Sequence, residues 1–586
     1  MDKRTVAPPS LLSAELEDWT FGRFIDEIGQ RHAALPAMVA SDHSRGGASD
    51  HSKGIAGDHS KAADSTHSIG TAFIGRWTYA EMARDVHALQ WALTDLGIQP
   101  GERVGVMLSS FAEWVLYLFA VSRLGAAFVP INMRFKAREL QHVLKHSGAE
   151  TLIATGRYLG QDHAATIAEV CGARGADGRF TGLPELQRLI GVGASPHPDA
   201  TDTADLLARG RAKLAQHGVP PREDDAQTTA ILFYTSGTTS FPKGVPLSHR
   251  NLLAHSVKAG ELLSIHPGER VLTLYPFFGI SGGANKVLST FGCGACLVFQ
   301  DAYRPAEACD LLEAEHCTVI HAVDVQVREL VAELKKRGRT AAPKRRGTIA
   351  FMAGVDAQLA QDMGIILGLR RFIHPYGMTE TNPMVLRNEL HDAFEASVRP
   401  GGRVAPDVEI RVVDPQTDED RAIDQPGEIV MRGRTVTKEY FNDPEATAAA
   451  FRNGWFHSGD LGVKTAEGFI FYVGRLKDML KVGGFNVAPQ EVESFLRGHP
   501  AVADVAVTGG TDARLGEVPV AFIVLKPDAT ITADALREHC RQHVANFKVP
   551  RAIWFVDALP YHTAANGSKL QRHIVRDWAR EYATQV

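Results

Sequence analysis

The chain contains 586 residues, of which 44% are hydrophobic and 22% are charged. Because this length exceeds what one ordinary hydrophobic core supports, we expect a large domain and at least one smaller domain. The formal net charge of −5 argues against a generally basic surface, and therefore against binding of nucleic acid or anionic lipid. Any phosphate-binding site must accordingly be local.

Cysteine content and hydropathy indicate the cellular compartment. The six cysteines are spread thinly along the chain, unlike the dense disulfide frameworks of small secreted domains, and this favours a reducing cytoplasm. Residues 1–19 contain no continuous apolar stretch of the signal-peptide type. The most apolar segment, 114–131, is interrupted by Arg123 and Gly125 and is too short to span a membrane. We predict no transmembrane segment, a cytoplasmic location, and a buried helix running into a strand over 114–131.

An insert of biased composition occupies residues 41–70. It repeats Asp-His-Ser followed by a basic residue from Asp42, Asp50 and Asp58, and it contains few large apolar side chains. Such a segment cannot bury enough surface to offset the entropy of ordering. We predict a disordered surface loop; transition-metal binding by its histidines is the alternative, although no fixed ligand geometry is evident.

The next elements follow the pattern of a layered α/β domain. Helical spacing alternates with short apolar runs over 78–132 and 247–371, as expected for strands covered by helices. The segment 172–225 is rich in Gly, Pro, Asp and Arg, and we predict that it lies outside the core. The strands predicted within the layered part are 103–107, 271–275 and 348–352.

The pattern changes after Asp414 to short strands separated by turn signals, as at 427–432 and 468–473, which predicts a strand-rich subdomain. A last unit begins near Arg475. It combines an amphipathic helix with alternating strands, so we predict a small α+β domain. Its predicted elements are the helix 490–497 and the strands 502–507 and 518–525.

A segment dense in hydroxyls and glycine follows the strand-like run 229–233 and reads Tyr-Thr-Ser-Gly-Thr-Thr-Ser-Phe-Pro-Lys-Gly over 234–244. Small residues leave backbone N–H groups open to a polyanion, and lysine adds positive charge. The spacing of a Walker A loop is absent, which argues against a P-loop ATPase. We predict a phosphate cradle formed by Thr235, Ser236, Gly237, Thr238, Thr239 and Lys243.

This run resembles the phosphate loop of the adenylate-forming superfamily, which contains acyl-CoA ligases, peptide-synthetase adenylation domains and luciferase. Ser240 stands where that loop usually has glycine. The resemblance extends over nearly the whole chain and is greatest to acyl-CoA ligases. It implies a large N-terminal domain over 1–474, made of layered α/β subdomains and the strand-rich subdomain, a hinge at 475–478, and a small mobile C-terminal domain over 479–586.

Further motifs occur in the order found in that superfamily. The segment Tyr-Gly-Met-Thr-Glu at 376–380 resembles its YGxTE motif, and a carboxylate is a suitable ligand for Mg²⁺ beside substrate phosphates. An acceptor-only carboxylate within His-Ser-Gly-Asp at 457–460 suits two ribose hydroxyls. The resemblance implies that the following residues bind the nucleotide: Tyr376 and Gly377 near adenine, Thr379 at the α-phosphate, Glu380 at Mg²⁺, Asp460 at the ribose, Arg475 at the ribose or phosphate, and Gly354 weakly at adenine.

The small domain contributes the remaining candidates. Lys477 falls at the hinge position, and Lys481 precedes the glycine turn Gly483-Gly484, which resembles the turn that faces a pantetheine arm; glycine allows such a close approach. Lys569 resembles the catalytic lysine near the C-terminus, although it is one residue further along than the usual motif.

The acyl pocket is the least defined part of the resemblance. Phe278, Gly279 and Gly282 lie in a segment similar to the superfamily's gate and pocket segment, with Gly279 in place of histidine. The missing imidazole would leave room for a bulkier or ring-bearing acid. A core glycine without consequence for the substrate is the equal alternative.

These features predict an enzyme that activates a carboxylic acid with ATP and Mg²⁺, releases pyrophosphate, and transfers the acyl group to coenzyme A. The alternatives are loading of a carrier protein and a nucleotide-binding regulator that has lost activity. The expected partners are a small carboxylic acid and coenzyme A, without nucleic acid, and the chain is compatible with a homodimer.

Overall fold

The computed structural model describes residues 11–42, 73–235, 241–351, 355, 357–482, 485–512, 516–564 and 567–583. Four sheets of five to eight strands organise these residues. The first two sheets and their helices form layered α/β subdomains, the third sheet is antiparallel, and the fourth belongs to the C-terminal part. The predicted α/β fold class is confirmed.

The first sheet has six parallel strands and one antiparallel edge strand. Val319–Val323 and Cys296–Gln300 are buried at every position, as expected for strands with both faces covered by helices. In spatial order the strands are Leu369–Ile373, Arg345–Ala350, Val319–Val323, Arg270–Thr273, Cys296–Gln300, Pro36–Asp42 and Phe73–Thr78.

The second sheet is parallel except for the edge strand Lys243–Ser248, which forms an antiparallel pair with Thr229–Thr235. The predicted strand 103–107 is confirmed, since the structure has Arg103–Met107 at that place. In spatial order the strands are Lys243–Ser248, Thr229–Thr235, Ala127–Pro130, Arg103–Met107, Thr151–Ala154, Arg188–Gly191 and Thr201–Asp202. A separate two-stranded ribbon joins Arg157–Tyr158 to Gln161–Asp162.

The segment 172–225 belongs to the core, so the prediction that it lies outside is wrong. Its strand Arg188–Gly191 pairs with Thr151–Ala154, and its helix Thr203–His217 packs on Tyr79–Asp95. The two helices approach so closely that a Cβ at Gly210 would lie 1.9 Å from the Ala88 carbonyl oxygen. A few well-placed apolar residues therefore bury a segment whose overall composition is typical of a loop.

Helices cover both sheets. Ala112–Arg123 is buried at all of its positions and is followed by the strand Ala127–Pro130, which confirms the helix and strand predicted over 114–131. Tyr79–Asp95 begins with a capping box between Thr78 and Glu81, which satisfies the first free N–H groups of the helix. The other helices of this part are Phe21–Arg31, Ala137–Ser147, His163–Cys171, Thr203–His217, His249–Leu262, the π-helix Ile280–Lys286, Val287–Gly292, Pro305–Ala314, Asp324–Lys336 and Ala357–Ile365, with the 3₁₀ turn Ser13–Glu15.

The third sheet confirms the predicted strand-rich subdomain. Its neighbouring strands are antiparallel, and Phe451–Arg452 pairs beside its main path. In spatial order they are Pro375–Met378, Asn382–Arg387, Gly401–Val404, Ile470–Arg475, Trp455–Lys464, Pro426–Gly433 and Val408–Val413. The short helices Thr379–Thr381, Phe394–Ser397 and Pro444–Ala450 connect strands of this subdomain.

The C-terminal part is an α+β unit with its own apolar clusters. The 3₁₀ helix Leu476–Asp478 leads into it from the third sheet. Its sheet contains Phe485–Val487, Leu480–Val482, Gly516–Leu525, Val502–Asp512 and Ala552–Phe555, and the hairpin Tyr561–Ala564 with Gly567–Leu570 lies beside it in sequence. Its helices are Pro489–Arg497, Ala533–His543, Asn546–Lys548 and Arg572–Ala583.

The predicted insert begins later than its composition indicated. Ser41 and Asp42 belong to the strand Pro36–Asp42, and Ser41 is fully buried. Asp42 pairs with Phe73 of the adjacent antiparallel strand. The remainder of the insert, including its histidines, lies outside the described residues.

All six cysteines are buried within the described residues and form no disulfide. Among the described helices, none is long and apolar enough to cross a lipid bilayer.

Candidate active site

Asp460 is the centre of a cluster formed by two neighbouring strands. It lies in Trp455–Lys464 directly opposite Arg475 of Ile470–Arg475. The Arg475 Nε atom is 2.7 Å from Asp460 Oδ1, and the Tyr376 hydroxyl donates a hydrogen bond of 2.9 Å to Asp460 Oδ2. Strand pairing thus brings Asp460 and Arg475 together, and the hydrogen bond from Tyr376, on the strand Pro375–Met378, adds a third residue that the sequence assigned separately to the nucleotide.

The charges of this cluster support one another. Burial and the neighbouring carboxylate of Asp460 hold the pKa of Tyr376 well above its usual value, so its hydroxyl remains a donor. Burial lowers the pKa of the Arg475 guanidinium, but the nearby Asp460 carboxylate and several further acidic groups together outweigh burial, so the pKa is raised. Asp460 is 3% exposed and is therefore a buried carboxylate fixed between a cation and a hydroxyl donor.

Glu380 lies in a second cluster, on the 3₁₀ helix Thr379–Thr381. Its Oε1 atom accepts a hydrogen bond of 2.9 Å from the Tyr440 hydroxyl. The ammonium of Lys243 lies 4.7 Å from the centre of the Tyr440 ring, a cation–π distance. Burial and the Glu380 carboxylate raise the pKa of Tyr440, so this tyrosine donates to the carboxylate and receives the cation on its ring face.

The segment after Arg434 holds this second cluster together. The Thr437 amide donates to the Glu380 carbonyl oxygen at 2.7 Å, and the Thr437 hydroxyl donates to the Pro246 carbonyl oxygen at 2.8 Å. The Phe441 amide donates to the Gly244 carbonyl oxygen at 2.8 Å. These bonds fix the Glu380 turn against the strand that begins at Lys243.

A cavity of about 300 Å³ adjoins both clusters, because its lining includes Lys243 and Tyr440 of the second cluster as well as Ser458 and Gly459, which precede Asp460 in its strand. The carboxylates of Asp460 and Glu380 are not among its lining residues. Gly459 immediately precedes the Asp460 carboxylate, whereas Tyr440 binds Glu380. The Glu380 charge also reaches the other cluster, where it adds to the rise in the pKa of Arg475 that Asp460 and two tyrosines cause against the opposing effect of burial. The carboxylates, lysine and arginine therefore form one polar site.

The backbone around Glu380 is tightly constrained. A Cβ at Gly377 would lie 2.2 Å from the Asn382 carbonyl oxygen, so only glycine fits there. Asn382 and Met384 have φ values of 68° and 72°, which are uncommon for residues with a side chain. The side-chain amide nitrogen of Asn382 donates to the Thr435 carbonyl oxygen at 2.8 Å. This bond stabilises the turn from the 3₁₀ helix into the next strand.

The other predicted residues have varied positions. Thr235 ends its strand and pairs with Lys243, so the two ends of the predicted phosphate loop are neighbours. Thr379 shares the 3₁₀ helix of Glu380. Lys477 lies exposed in Leu476–Asp478, and desolvation lowers its pKa. Lys481 is exposed, and no described hydrogen bond or ion pair joins its side chain to either cluster.

Several predicted residues lie outside the described part of the chain. The backbone of Lys569 pairs with His562 in the C-terminal hairpin. The side chain of Lys569 lies outside the described part of the structure. The wholly undescribed positions are Ser236, Gly237, Thr238, Thr239, Gly354, Gly483 and Gly484.

The predicted acyl segment runs into the π-helix Ile280–Lys286. Phe278 is half-buried and Gly279 is buried at the start of this helix. A Cβ at Gly282 would lie 2.3 Å from the Pro276 carbonyl oxygen, so glycine permits close packing of the π-helix on the preceding turn. Single-turn π segments occur frequently at functional sites.

The sequence did not single out two aromatic residues of the site. Tyr440 binds Glu380, and Tyr472 stacks on Tyr376 with ring centres 5.7 Å apart. Tyr472 lies inside the strand Ile470–Arg475 among other apolar residues. Tyr440 lies in the connection between a strand and a helix, and no sequence motif surrounds it. Only their distance in space from Glu380 and Tyr376 reveals them.

Comparison with known proteins gives an independent identification. Residues 60–441 match the AMP-binding enzyme family, and residues 491–566 match the AMP-binding enzyme C-terminal domain. A feruloyl-CoA synthase of Amycolatopsis sp is 33% identical over 504 residues, which cover 85% of this chain and 93% of that protein. The medium-chain acyl-CoA ligase ACSF2, mitochondrial, of Macaca fascicularis is 28% identical over 514 residues, covering 86% of this chain and 82% of that protein.

Solved structures agree with the fold. The anthranilate CoA ligase AuaEII, crystallised with anthranoyl-AMP, superposes with a TM-score of 0.76 at 23% identity, covering 98% of this chain and 99% of that one. The family match spans well over half of the sequence, and the site described above contains the residues by which the sequence resembles adenylate-forming enzymes. The chain therefore belongs to the AMP-binding enzyme family and has both its large and its C-terminal domain.

Proposed function

We propose that this protein is an AMP-forming acid–thiol ligase, which converts a carboxylic acid into an acyl-adenylate with ATP and then into a thioester of coenzyme A. The observation that carries the proposal is the proximity of the Asp460 and Glu380 clusters, since the charges of both carboxylates act on Arg475. Family membership and relatives named as CoA synthases and ligases support the same activity.

The nucleotide end of this site is formed by Asp460, Arg475 and Tyr376. Asp460 accepts hydrogen bonds from the two ribose hydroxyls, a role that suits an acceptor-only carboxylate. Arg475 orients that carboxylate, with its Nε atom 2.7 Å from Asp460 Oδ1. Tyr376 and Gly377 lie beside the adenine, with Gly354 as a further contact.

The phosphate end is formed by the loop between Thr235 and Lys243, with Ser236, Gly237, Thr238 and Thr239 within it. The paired strand ends keep the two ends of this loop together. Lys243 supplies a cation beside the Tyr440 ring. Backbone N–H groups and hydroxyls in a loop of this composition hold a polyphosphate.

Glu380 fits a Mg²⁺ ion bound to the nucleotide. Glu380 is 9% exposed, and the hydrogen bond from Tyr440 holds its Oε1 atom, which fixes the orientation of a hard oxygen ligand. When bound, Mg²⁺ neutralises charge on the phosphate oxygens. Tyr440 supports the ligand and does not need to lose its proton.

In the first half-reaction, a carboxylate oxygen of the acid attacks the α-phosphorus of ATP, the bond to the bridging oxygen breaks, and pyrophosphate leaves. No proton has to be removed from the ionised acid, so the site needs position and positive charge more than a base. Thr379 and Lys569 stabilise the negative charge that develops on the phosphoryl oxygens. The acid binds along the segment that contains Phe278, Gly279 and Gly282.

In the second half-reaction, the thiolate sulfur of coenzyme A attacks the acyl carbonyl carbon, and AMP leaves. A lysine that serves the phosphates and an incoming thiol need the same space, so the domain 479–586 rotates against 1–474 about the hinge 475–478. Lys477 is the pivot. Lys481, Gly483 and Gly484 then line the path of the pantetheine arm.

The test is release of AMP from ATP by the purified full-length chain with Mg²⁺, coenzyme A and a panel of fatty, aromatic and alicyclic acids. We expect acid-dependent AMP and thioester, and acid-dependent exchange of labelled pyrophosphate into ATP. Asp460→Ala should abolish both signals, whereas Asp528→Asn, at an exposed turn residue, should keep them. Absence of acid-dependent exchange with every acid would refute the proposal.

A further inference from the structure

Lys286 is a buried lysine that has no counter-ion among the residues that the structure describes. It ends the π-helix Ile280–Lys286 and is 1% exposed. Its ammonium donates a hydrogen bond of 2.9 Å to Asn285 Oδ1 and lies 3.9 Å from Met384 Sδ. No carboxylate among the described residues pairs with it. A buried ammonium with only neutral neighbours is costly, and proteins retain such groups rarely.

A row of polar side chains without hydrogen-bond partners crosses the first sheet close to this lysine. Thr273, His321 and Thr348 occupy matching positions on three adjacent parallel strands, so their side chains project from the same face. All three are at most 2% exposed. Within the described residues, neither ring nitrogen of His321 and neither threonine hydroxyl has a hydrogen-bond partner.

The lysine and the row belong to one cluster. Burial lowers the pKa of His321 well below its usual value, and the nearby charge of Lys286 lowers it further. The Asn285 Nδ2 atom is also buried and finds no hydrogen-bond partner in the described part of the chain. Each such group costs about 1–3 kcal/mol when it is left unsatisfied, and buried polar groups of this kind in native proteins call for an explanation.

The cluster lies next to the predicted acyl segment. Lys286 is the last residue of the helix that begins directly after Gly279, and it also contacts Met384, in the strand that follows Glu380. The polar row lies toward the carboxyl ends of parallel strands, where ligands bind in open α/β sheets. The cluster therefore lies between the predicted acid segment and the strand next to the adenylation site.

We propose that Lys286, Asn285 and His321 form a distal subsite that hydrogen-bonds an oxygen acceptor, a ketone or a second carboxylate, at the end of the acid remote from the activated carboxylate. This inference rests on the proposed ligase function. An acid with a plain hydrocarbon end would leave all of these donors unsatisfied, and a site built to bond an oxygen discriminates strongly against an analogue that lacks it. The subsite thus selects oxygenated acids over simple fatty acids.

The experiment compares three acids of the same chain length: the unsubstituted acid, its penultimate-oxo derivative and the corresponding dicarboxylic acid, at several lengths. For the full-length enzyme we expect kcat/KM for AMP release to be at least about tenfold higher with an oxygenated acid than with the unsubstituted acid. The oxo and dicarboxylic arms show whether the subsite takes a neutral or an anionic acceptor.

Two variants connect the preference to the cluster. Lys286→Met keeps the length of the side chain and removes the ammonium, so it should lose the preference while keeping or raising turnover of the unsubstituted acid. That retained turnover also shows that the variant is folded. Lys344→Met, at an exposed lysine before the strand Arg345–Ala350, should behave as the wild type.

The possible results separate this inference from the function on which it rests. Equal use of all three acids by the wild type, or a preference that Lys286→Met keeps, would overturn the subsite and leave the ligase function intact; such results would mean that only water fills the cluster. Absence of AMP release with every acid would overturn both proposals. A preference for oxygenated acids that depends on Lys286 supports the subsite.

Discussion

Lys286→Met should stabilise the protein, and by an amount that depends on pH. The lysine is fully buried beside neutral groups, and burial lowers its pKa from 10.5 to about 7. At about 1.4 kcal/mol for each unit of pKa, the charged lysine costs the folded state about 5 kcal/mol. Methionine has a similar length and carries no charge, so it removes this cost at the small expense of the bond to Asn285.

The pH dependence has a definite sign. Below about pH 7 the lysine is protonated in both the folded and the unfolded chain, so the wild type bears the full cost. Between about pH 7 and pH 10.5 the unfolded chain binds more protons than the folded chain, and the stability of the wild type rises with pH. The advantage of Lys286→Met should therefore be greatest near pH 6 and should shrink steadily toward about pH 10.

Urea unfolding of both proteins at about pH 6 and about pH 9, followed by tryptophan fluorescence, measures this difference. Trp114 is fully buried and packs against the π-helix that ends at Lys286, because a Cβ added at Gly283 of that helix would lie 2.5 Å from the Trp114 ring. Its fluorescence therefore reports on this region. Lys344→Met is the matched control and should match the wild type at both pH values. An advantage of Lys286→Met that is the same at both pH values, or a wild type that is the more stable protein at the lower pH, would refute the reasoning.

Three further predictions concern the proposed reaction. Lys569→Ala should slow acid-dependent pyrophosphate exchange about a hundredfold or more and largely spare thioester formation from a supplied acyl-adenylate; equal losses in the two assays would contradict this division. Lys477→Pro should spare the exchange and suppress thioester formation, because proline fixes φ at the pivot; unchanged thioester formation would exclude a pivot there. Glu380→Gln should raise the Mg²⁺ concentration required for half-maximal AMP release by about tenfold or more. Tyr440→Phe keeps the Glu380 carboxylate and should raise that concentration less. A Mg²⁺ titration of Glu380→Gln that matches the wild type would argue against Glu380 as a metal ligand.

Motifs that are continuous in sequence predicted the family and the fold class well. The hydroxyl-rich run ending at Gly244 and the segment from Tyr376 to Glu380 combine local chemistry with local chain geometry, so each could be recognised without knowledge of the fold. The family and the fold class are confirmed. The roles given to the individual site residues, the domain boundaries, the cytoplasmic location and the homodimer remain predictions.

Features that depend on tertiary pairing could not be predicted in the same way. Tyr440 and Glu380 are distant in sequence and meet only because the Thr437 segment bonds to the Glu380 turn. Lys286 stands in an apolar stretch where any single lysine would be expected at the surface. The core role of 172–225 depends on Gly210, which lets two helices approach, and average composition does not report such a contact.

The paired strands Pro36–Asp42 and Phe73–Thr78 make the intervening segment a suitable place for engineering. Since Asp42 and Phe73 are partners in the ladder, the chain leaves and re-enters the sheet at neighbouring points. The entropy of closing a loop between fixed ends grows only with the logarithm of its length. Shortening this segment, or replacing it with a fluorescent reporter, should therefore change the stability of the ladder little, and the edge of the first sheet offers a tolerant attachment point.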